Sequence, residues 1–145
     1  MEAFILGLIG TLLSVVSLTW QMFTWRASGA RLKVRYVWGY PVGHGGPTIK
    51  LRGIEVTNKG RASTIVSGVT TRLPNGGHMP LIADAMGQVK FPYELRPGES
   101  ITAYYEPNDI EITLKREGLP LSIKLTPQAS TGHGAFRGKA VPARP

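Results

Sequence analysis

The sequence predicts a mostly β protein in which one N-terminal transmembrane helix precedes an antiparallel β-sandwich of seven or eight short strands. Three observations support this prediction. Residues 3–25 carry no charge, apolar and polar residues alternate in short segments after residue 31, and glycine- or proline-containing turns separate those segments. The predicted parts are a transmembrane helix at 1–26, a short linker at 27–30, and a sandwich domain at 31–145 with a weakly ordered C-terminal tail.

The N-terminal segment is long enough to cross a bilayer. Its 23 uncharged residues would form a helix about 35 Å long, against a hydrocarbon core about 30 Å thick. A cleaved signal peptide is the alternative, because the small residues at 27–30 would suit a cleavage site. Against it, Glu2 stands where such peptides are basic, and the apolar run is longer than theirs.

Aromatic and basic side chains mark the end of this segment, and we expect them to contact the membrane surface. They are Trp20, Trp25, Arg26, Arg31, Lys33 and Arg35. Basic residues favour the cytoplasmic side of a membrane. The prediction is therefore a single-pass protein of the cell (inner) membrane, with its N-terminus outside and its domain in the cytoplasm.

One face of the predicted helix consists of small and polar residues at alternating spacings of four and three. Its members are Ala3, Gly7, Gly10, Ser14, Ser17 and Gln21. Small residues let two helices approach closely in lipid, where apolar side chains gain nothing by meeting one another. This face predicts a homo-oligomer or a partner transmembrane helix, with a left-handed crossing.

Composition limits the function classes further. The formal net charge is +8, and because Glu2 is the one charged residue before Arg26, the remainder carries 17 basic and 8 acidic residues, or +9. Such a charge favours anionic partners, and the juxtamembrane cluster favours lipid headgroups over nucleic acid. The absence of cysteine excludes disulfides, cysteine-ligated metals and thiol nucleophiles.

Strands are predicted along the rest of the chain. Residues 31–38 alternate, with Leu32, Val34, Tyr36 and Trp38 on one face. In the next segment, 49–57, Gly53 is a candidate β-bulge because the apolar phase changes there. Further strands are predicted at 62–73, 79–82, 88–95, 101–105, 121–125 and 135–141, with turns at 58–60 and 74–77.

A short helix is predicted at 108–118. Asn108 is the expected N-cap, with Glu111 as its capping-box partner, and Gly118 is the expected C-cap. The β-branched residues of this segment leave a strand as the alternative.

Two turn motifs carry a resemblance to a known fold. A strand that ends in Asn58-Lys59-Gly60 is followed about 35 residues later by Leu95-Arg96-Pro97-Gly98-Glu99-Ser100. This pattern resembles bacterial immunoglobulin-like modules and extends over residues 31–127. The resemblance implies an immunoglobulin-like sandwich, of the kind found in uncharacterised small membrane proteins of bacteria and bacteriophages.

No motif for catalysis or cofactor binding is evident in the sequence. It contains neither a nucleophile elbow nor a phosphate-binding loop. His44, His78 and His133 lie in glycine turns without the spacing of a metal site. We therefore expect no catalytic residue, no cofactor and no metal. Tyr93, Tyr104 and Tyr105 are the surface residues that we expect to meet a protein partner.

The predicted function is non-catalytic. The chain is expected to act as a membrane-anchored interaction and assembly module that self-associates through its helix and presents a basic sandwich to a protein partner or the membrane surface. The alternative is a structural component of a phage or membrane-containing virus particle, located in the virion.

Overall fold

The computed structural model describes residues 1–40 and 49–144. Within these residues two helices and nine strands follow one another. Their bounds are α1 Glu2–Ala27, β1 Leu32–Gly39, β2 Leu51–Asn58, β3 Thr64–Arg72, β4 His78–Pro80, β5 Tyr93–Leu95, β6 Ser100–Tyr104, α2 Asp109–Arg116, β7 Lys124–Thr131, β8 Gly134–Arg137 and β9 Val141–Pro142. The prediction of an apolar N-terminal helix followed by mostly antiparallel β structure is confirmed.

The first sheet contains β1, β2 and β6, with β2 in the centre and both pairings antiparallel. The alternation predicted for β1 is confirmed along most of the strand, since Leu32, Val34 and Tyr36 pack against the core. Trp38 was expected on the same buried face. It is 39% exposed because it lies at the end of the strand, beside two basic side chains of β2 and its preceding loop.

The second sheet has six strands in the order β4-β3-β7-β8, with β5 also paired to β3 and β9 to β7. The hairpin turn predicted at 74–77 is confirmed, and it places Arg72 opposite His78. Gly76 adopts φ 87° there, a conformation that favours glycine. The tail that the sequence predicts to be weakly ordered contains β8 and β9, both paired with β7.

The hydrophobic core lies between the two sheets. Ile54 and Val56 of the first sheet and Val66 and Leu95 of the second are fully buried in one cluster. A second cluster, around Leu114 of α2, covers one end of the core. Burial of aliphatic side chains on this scale contributes about 1.5–3 kcal/mol each, so the sheets are held together chiefly by this shared core.

Polar groups also connect the sheets inside the core. The hydroxyl of Tyr36 lies 2.7 Å from Thr71 Oγ1, and the hydroxyl of Tyr105 lies 2.9 Å from the same atom. Tyr105 also donates to Met79 O at 3.0 Å. Tyr105 is only 4% exposed, so the expectation that it is a surface residue is wrong.

The two turn motifs that carry the resemblance meet in space. Asn58 is fully buried, and its side-chain amide donates to Ala62 O at 2.7 Å and to Leu95 O at 3.1 Å. Its Oδ1 accepts from Gly60 N at 2.9 Å, which closes the predicted turn. Backbone bonds from Asn58 N to Glu99 O and from Gly98 N to Asn58 O complete the junction.

Several strand details differ from the sequence prediction. The strand expected at 121–125 begins only at Lys124 and continues to Thr131 as β7. Gly53 is not a bulge: it pairs in regular register with Val37 and Tyr104, and the irregularity in strand pairing lies between Val66 and Gly68. The strand expected at 88–95 is confined to β5. Before it, the carboxylate of Asp84 accepts hydrogen bonds from four backbone N–H groups, those of Met86, Gln88, Val89 and Tyr104, which holds a loop instead.

The helix expected at 108–118 is present as α2, but its predicted capping box is wrong. Asn108 adopts a left-handed conformation with φ 70° and makes no side-chain capping bond. Glu111 pairs instead with Lys115, one turn ahead, at 2.9 Å. Gly118 follows the helix with φ 67°, which suits the left-handed ending expected there.

Candidate functional site

The N-terminal helix α1 is the first part of the candidate site. Residues Glu2–Trp25 form a helix that is long and apolar enough to cross a membrane, and none of its most apolar stretch is buried against the domain. Large apolar side chains such as Phe4, Leu8 and Leu12 are exposed along it. A surface of this kind is stable in hydrocarbon and costly in water, so α1 is suited to anchor the chain in a lipid bilayer.

The small-residue face of α1 is smooth at its centre. An added Cβ at Gly7 or Gly10 would meet nothing within 4 Å, so the backbone lies open there. Ser14 Oγ donates to Gly10 O at 2.8 Å, and Gln21 Nε2 donates to Ser17 Oγ at 3.3 Å. The hydroxyl proton of Ser14 and one amide proton of Gln21 are therefore used within the helix, whereas the open backbone at Gly7 and Gly10 permits close packing against a second helix.

The aromatic residues predicted at the membrane surface lie at the C-terminal end of α1. Trp20 and Trp25 are both exposed, as indole rings in a headgroup zone would be. Arg26 belongs to the last turn of the helix, and its side chain lies outside the described part of the structure.

Three further basic residues of the prediction follow on the linker and β1. Arg31 and Lys33 are exposed. Arg35 forms an ion pair with Glu55 on the neighbouring strand β2, and this carboxylate raises the pKa of the guanidinium. The strand register, which the sequence did not reveal, thus gives Arg35 an acidic partner that Arg31 and Lys33 do not have among the described residues.

The fold brings more basic residues to the linker than the sequence predicted. Lys59 N donates to Arg31 O at 2.7 Å, and a Cβ at Gly60 would lie 2.8 Å from Ala30 Cα. The turn that contains Arg96 is bonded to Asn58. Lys59, Arg61 and Arg96 are all exposed. We call Arg31, Lys33, Lys59, Arg61 and Arg96 the linker-proximal basic surface.

Pairing between strands explains why this surface was missed. β1 and β2 are antiparallel, so the end of β2 lies beside the start of β1 and next to the linker. Antiparallel pairing of the two predicted strands would by itself place Lys59 and Arg61 beside the linker. The position of Arg96 depends on the tertiary contact between Asn58 and the turn at 96–99, which the sequence does not reveal.

The carboxylate of Glu99, close to Arg96 of the linker-proximal basic surface, accepts one hydrogen bond at each of its oxygens. It accepts from Tyr93 Oη at 2.6 Å and from Arg96 N at 2.9 Å, and these bonds lower the pKa of Glu99. Tyr93, expected to meet a partner, is thus held by an intramolecular bond. The positive charge of Arg96 also contributes to the lowered pKa of Glu99, so this carboxylate offsets part of the basic charge around it.

The histidines do not form a site among the described residues. His78 lies at the end of β3 that contains Arg72, whereas His133 lies in the turn beyond Thr131, which pairs with Val66. Six residues of β3 separate these positions, or about 20 Å. His44 falls outside the described residues. Across the described ranges, no group of three or more metal-ligating side chains converges.

The described residues therefore define a class of protein: one apolar helix, able to span a membrane, followed by a small domain of two antiparallel sheets. The sequence matches no protein-family model and no curated protein.

Proposed function

We propose that this protein is a non-catalytic, membrane-anchored interaction and assembly module that self-associates through its transmembrane helix. The observation that supports this most directly is the small-residue face of α1. It extends along most of the helix, is open at Gly7 and Gly10, and has no partner among the described residues. A helix that needed only to anchor the domain would not require such a face.

The physics of helix association in lipid favours this use. Lipid chains are as apolar as leucine side chains, so helices associate where small residues permit close van der Waals contact. A face repeating every 3.5 residues stays in contact with its partner when two helices cross at a small left-handed angle. The leucine-rich opposite face, with Leu8 and Leu12, would remain in contact with lipid.

The domain is proposed to be an immunoglobulin-like sandwich that meets a protein partner or the membrane surface. Two features support this proposal: the core shared by the two sheets and the junction between Asn58 and the turn at 96–99. That junction joins the two motifs on which the resemblance rests. Sandwich domains of this kind serve many binding functions, so the fold by itself names no partner.

The proposed orientation places the domain in the cytoplasm of a bacterial cell, below the inner membrane. Support comes from the basic residues that follow the span closely, which are Arg26, Arg31, Lys33 and Arg35. The linker-proximal basic surface adds three cations that can meet anionic headgroups. Anionic headgroups of the cytoplasmic leaflet attract such a surface by about 1 kcal/mol per basic residue close to it.

Disulfide trapping tests self-association sharply, because the chain contains no cysteine. Single variants Gly10→Cys and Ser14→Cys should form dimers when membranes holding the full chain are oxidised. Leu8→Cys and Leu12→Cys are the matched controls on the opposite face, each about 3 Å along the helix from its counterpart, and they should stay monomeric. Equal crosslinking from both faces would overturn the proposed interface.

Orientation is tested by labelling cells that produce the full chain. A cysteine added after residue 145 should be protected from an impermeant maleimide in intact cells and should react once the cells are opened. Efficient labelling in intact cells would place the domain outside and refute the cytoplasmic topology.

A further inference from the structure

A cavity of about 190 Å³ lies at the end of the domain away from the linker. Trp38 and Arg52 line it from the first sheet, α2 closes one side, and residues 143–144 close another. Trp38 is six residues along β1 from Leu32, which is about 20 Å of extended strand. The cavity is therefore distant from the linker-proximal basic surface, and a ligand there would come from solution rather than from the anchoring membrane.

Arg52 is the unusual residue of this cavity. Its side chain is only 5% exposed, and its guanidinium stacks 4.6 Å from the ring centre of Trp38 and 5.0 Å from that of Tyr36. One nitrogen, Nη2, donates to Pro142 O at 2.8 Å. The other two, Nε and Nη1, have no hydrogen-bond partner among the described residues.

A buried cation without a counter-ion is costly. Aromatic faces and one carbonyl offset part of the lost hydration, but unpaired buried N–H groups each cost about 1–3 kcal/mol, and more on a charged group. Burial accordingly lowers the pKa of the Arg52 guanidinium, and the nearby Tyr36 opposes this only in part. A negatively charged acceptor beside the guanidinium would offset this cost.

The remaining charges around the cavity do not supply that acceptor. Lys50 Nζ lies 4.2 Å from the ring centre of Trp38, and Arg144 adds another cation to the lining. Of the two lining carboxylates, Glu111 is paired with Lys115 and Glu106 is exposed at the rim. Lys50 and Arg144 are also exposed, so Arg52 is the buried charge of this cavity, and its apolar walls come from Ile110, Leu114 and Leu121.

We propose that this cavity binds a small soluble organic anion, in which a carboxylate or phosphate group meets Arg52 and Lys50 and an apolar body lies against Leu114 and Leu121. Guanidinium groups recognise both anions through charge-assisted hydrogen bonds. Mixed apolar and charged lining is typical of small-molecule sites. This ligand would make the domain a sensor or carrier on the membrane, a role beyond assembly through α1.

The test uses the full chain in uncharged detergent micelles, with Trp20→Phe and Trp25→Phe introduced so that Trp38 is the single tryptophan. Phenyl phosphate and benzoate are titrated separately while Trp38 fluorescence and the melting temperature are followed. At least one of them should change the fluorescence saturably and raise the melting temperature. Which of the two binds more tightly identifies the anionic group. Benzyl alcohol, which lacks the charge, should bind at least about tenfold more weakly.

Substitutions of single basic residues show whether Arg52 binds the anion. Arg52→Met keeps the apolar stem and should weaken binding about tenfold or more, and Lys50→Met, at an exposed position, should weaken it severalfold without disturbing the fold. Arg116→Met removes the same charge from α2 outside the cavity and should leave affinity unchanged.

Two results would overturn the proposal. One is no saturable binding of either anion to the parent protein at millimolar concentration. The other is equal affinity in the parent protein, Arg52→Met and Lys50→Met. If binding is absent and Arg52→Met also melts at a lower temperature, Arg52 serves only to fasten β9 to the first sheet through Pro142.

Discussion

The ring of Tyr104 lies against the backbone of Gly53 on the neighbouring strand. A Cβ placed on Gly53 would be 2.7 Å from Tyr104 Cδ1 and 3.1 Å from Ala103 O. The same ring reaches Gly39, where an added Cβ would also collide with it. Two glycines on adjacent strands thus leave room for one aromatic side chain to cross the sheet. This explains why β2 contains a glycine although its pairing is regular there.

Replacing Gly53 by alanine should therefore destabilise the domain by about 1–3 kcal/mol, because the ring must move or the strand must shift. Thermal unfolding of the full chain, followed by near-ultraviolet circular dichroism, measures the effect. Gly68→Ala is the matched control: its new Cβ meets nothing within 4 Å, so this variant should be neutral or up to about 1 kcal/mol more stable.

A double-mutant cycle separates the steric cause from strand propensity. If the ring of Tyr104 is the obstacle, Gly53→Ala should cost much less in a Tyr104→Ala background. An undiminished cost there would assign the effect to the backbone contact with Ala103.

Local patterns in the sequence were sufficient for several elements of this fold. The uncharged run correctly predicted α1, the alternation from Leu32 to Tyr36 predicted β1, and the turn at 74–77 predicted a hairpin. Each of these depends on neighbours within a few residues, where periodicity and turn chemistry dominate.

The errors occur where side-chain contacts that the apolar pattern does not show replace the expected hydrogen bonds. The loop around Asp84 replaced a predicted strand, because one carboxylate binds four backbone N–H groups, one of them on β6. The candidate sites follow the same rule. The face of α1 is visible in the sequence, whereas the basic cavity joins Trp38, Arg52 and Arg144, which are brought together only by the fold.

Asn58 should be among the most sensitive polar residues of the domain. Asn58→Ala removes three hydrogen bonds and leaves the buried carbonyl of Leu95 without its side-chain donor. We expect a loss of about 2–4 kcal/mol in the free energy of unfolding, measured by urea denaturation.

Asn75→Ala provides the control for Asn58. Asn75 accepts from Gly77 N at 2.9 Å in a turn of the same kind, but it is exposed. Water can replace that bond, so the loss should stay under about 1 kcal/mol. Similar losses at both positions would contradict the importance assigned to the buried junction.

The buried phenol of Tyr105 predicts a loss of stability in alkali. Burial raises the pKa of Tyr105 to about 12, from an ordinary value of 10. Because the folded-state pKa is the higher one, this contribution to stability is complete below about pH 10 and is lost as the pH rises toward 12. Melting temperatures between pH 9 and 12 should fall less steeply for Tyr105→Phe than for the parent protein. Parallel slopes would show that another group controls alkaline unfolding.

The last prediction concerns the order of severity among substitutions in α1. Gly10→Ile places a branched side chain on the open centre of the small-residue face and forces two backbones apart, so association should be largely lost. Ser14→Ala should have a small effect, since the Ser14 hydroxyl already donates to Gly10 O within its own helix. An interhelical hydrogen bond is in any case worth only about 0.6 kcal/mol on average.

Substitutions on the opposite face complete this series. Leu8→Ile and Leu12→Ile change side-chain shape where we expect lipid, which accommodates either residue, so association should equal that of the unaltered helix. A membrane dimerisation reporter that carries residues 1–30 compares all four variants at matched expression. If Gly10→Ile gives the signal of the unaltered helix, the small-residue face does not hold helices together. If Ser14→Ala is as damaging as Gly10→Ile, hydrogen bonding rather than close packing drives assembly, and the side chain of Ser14 must turn from Gly10 toward its partner helix.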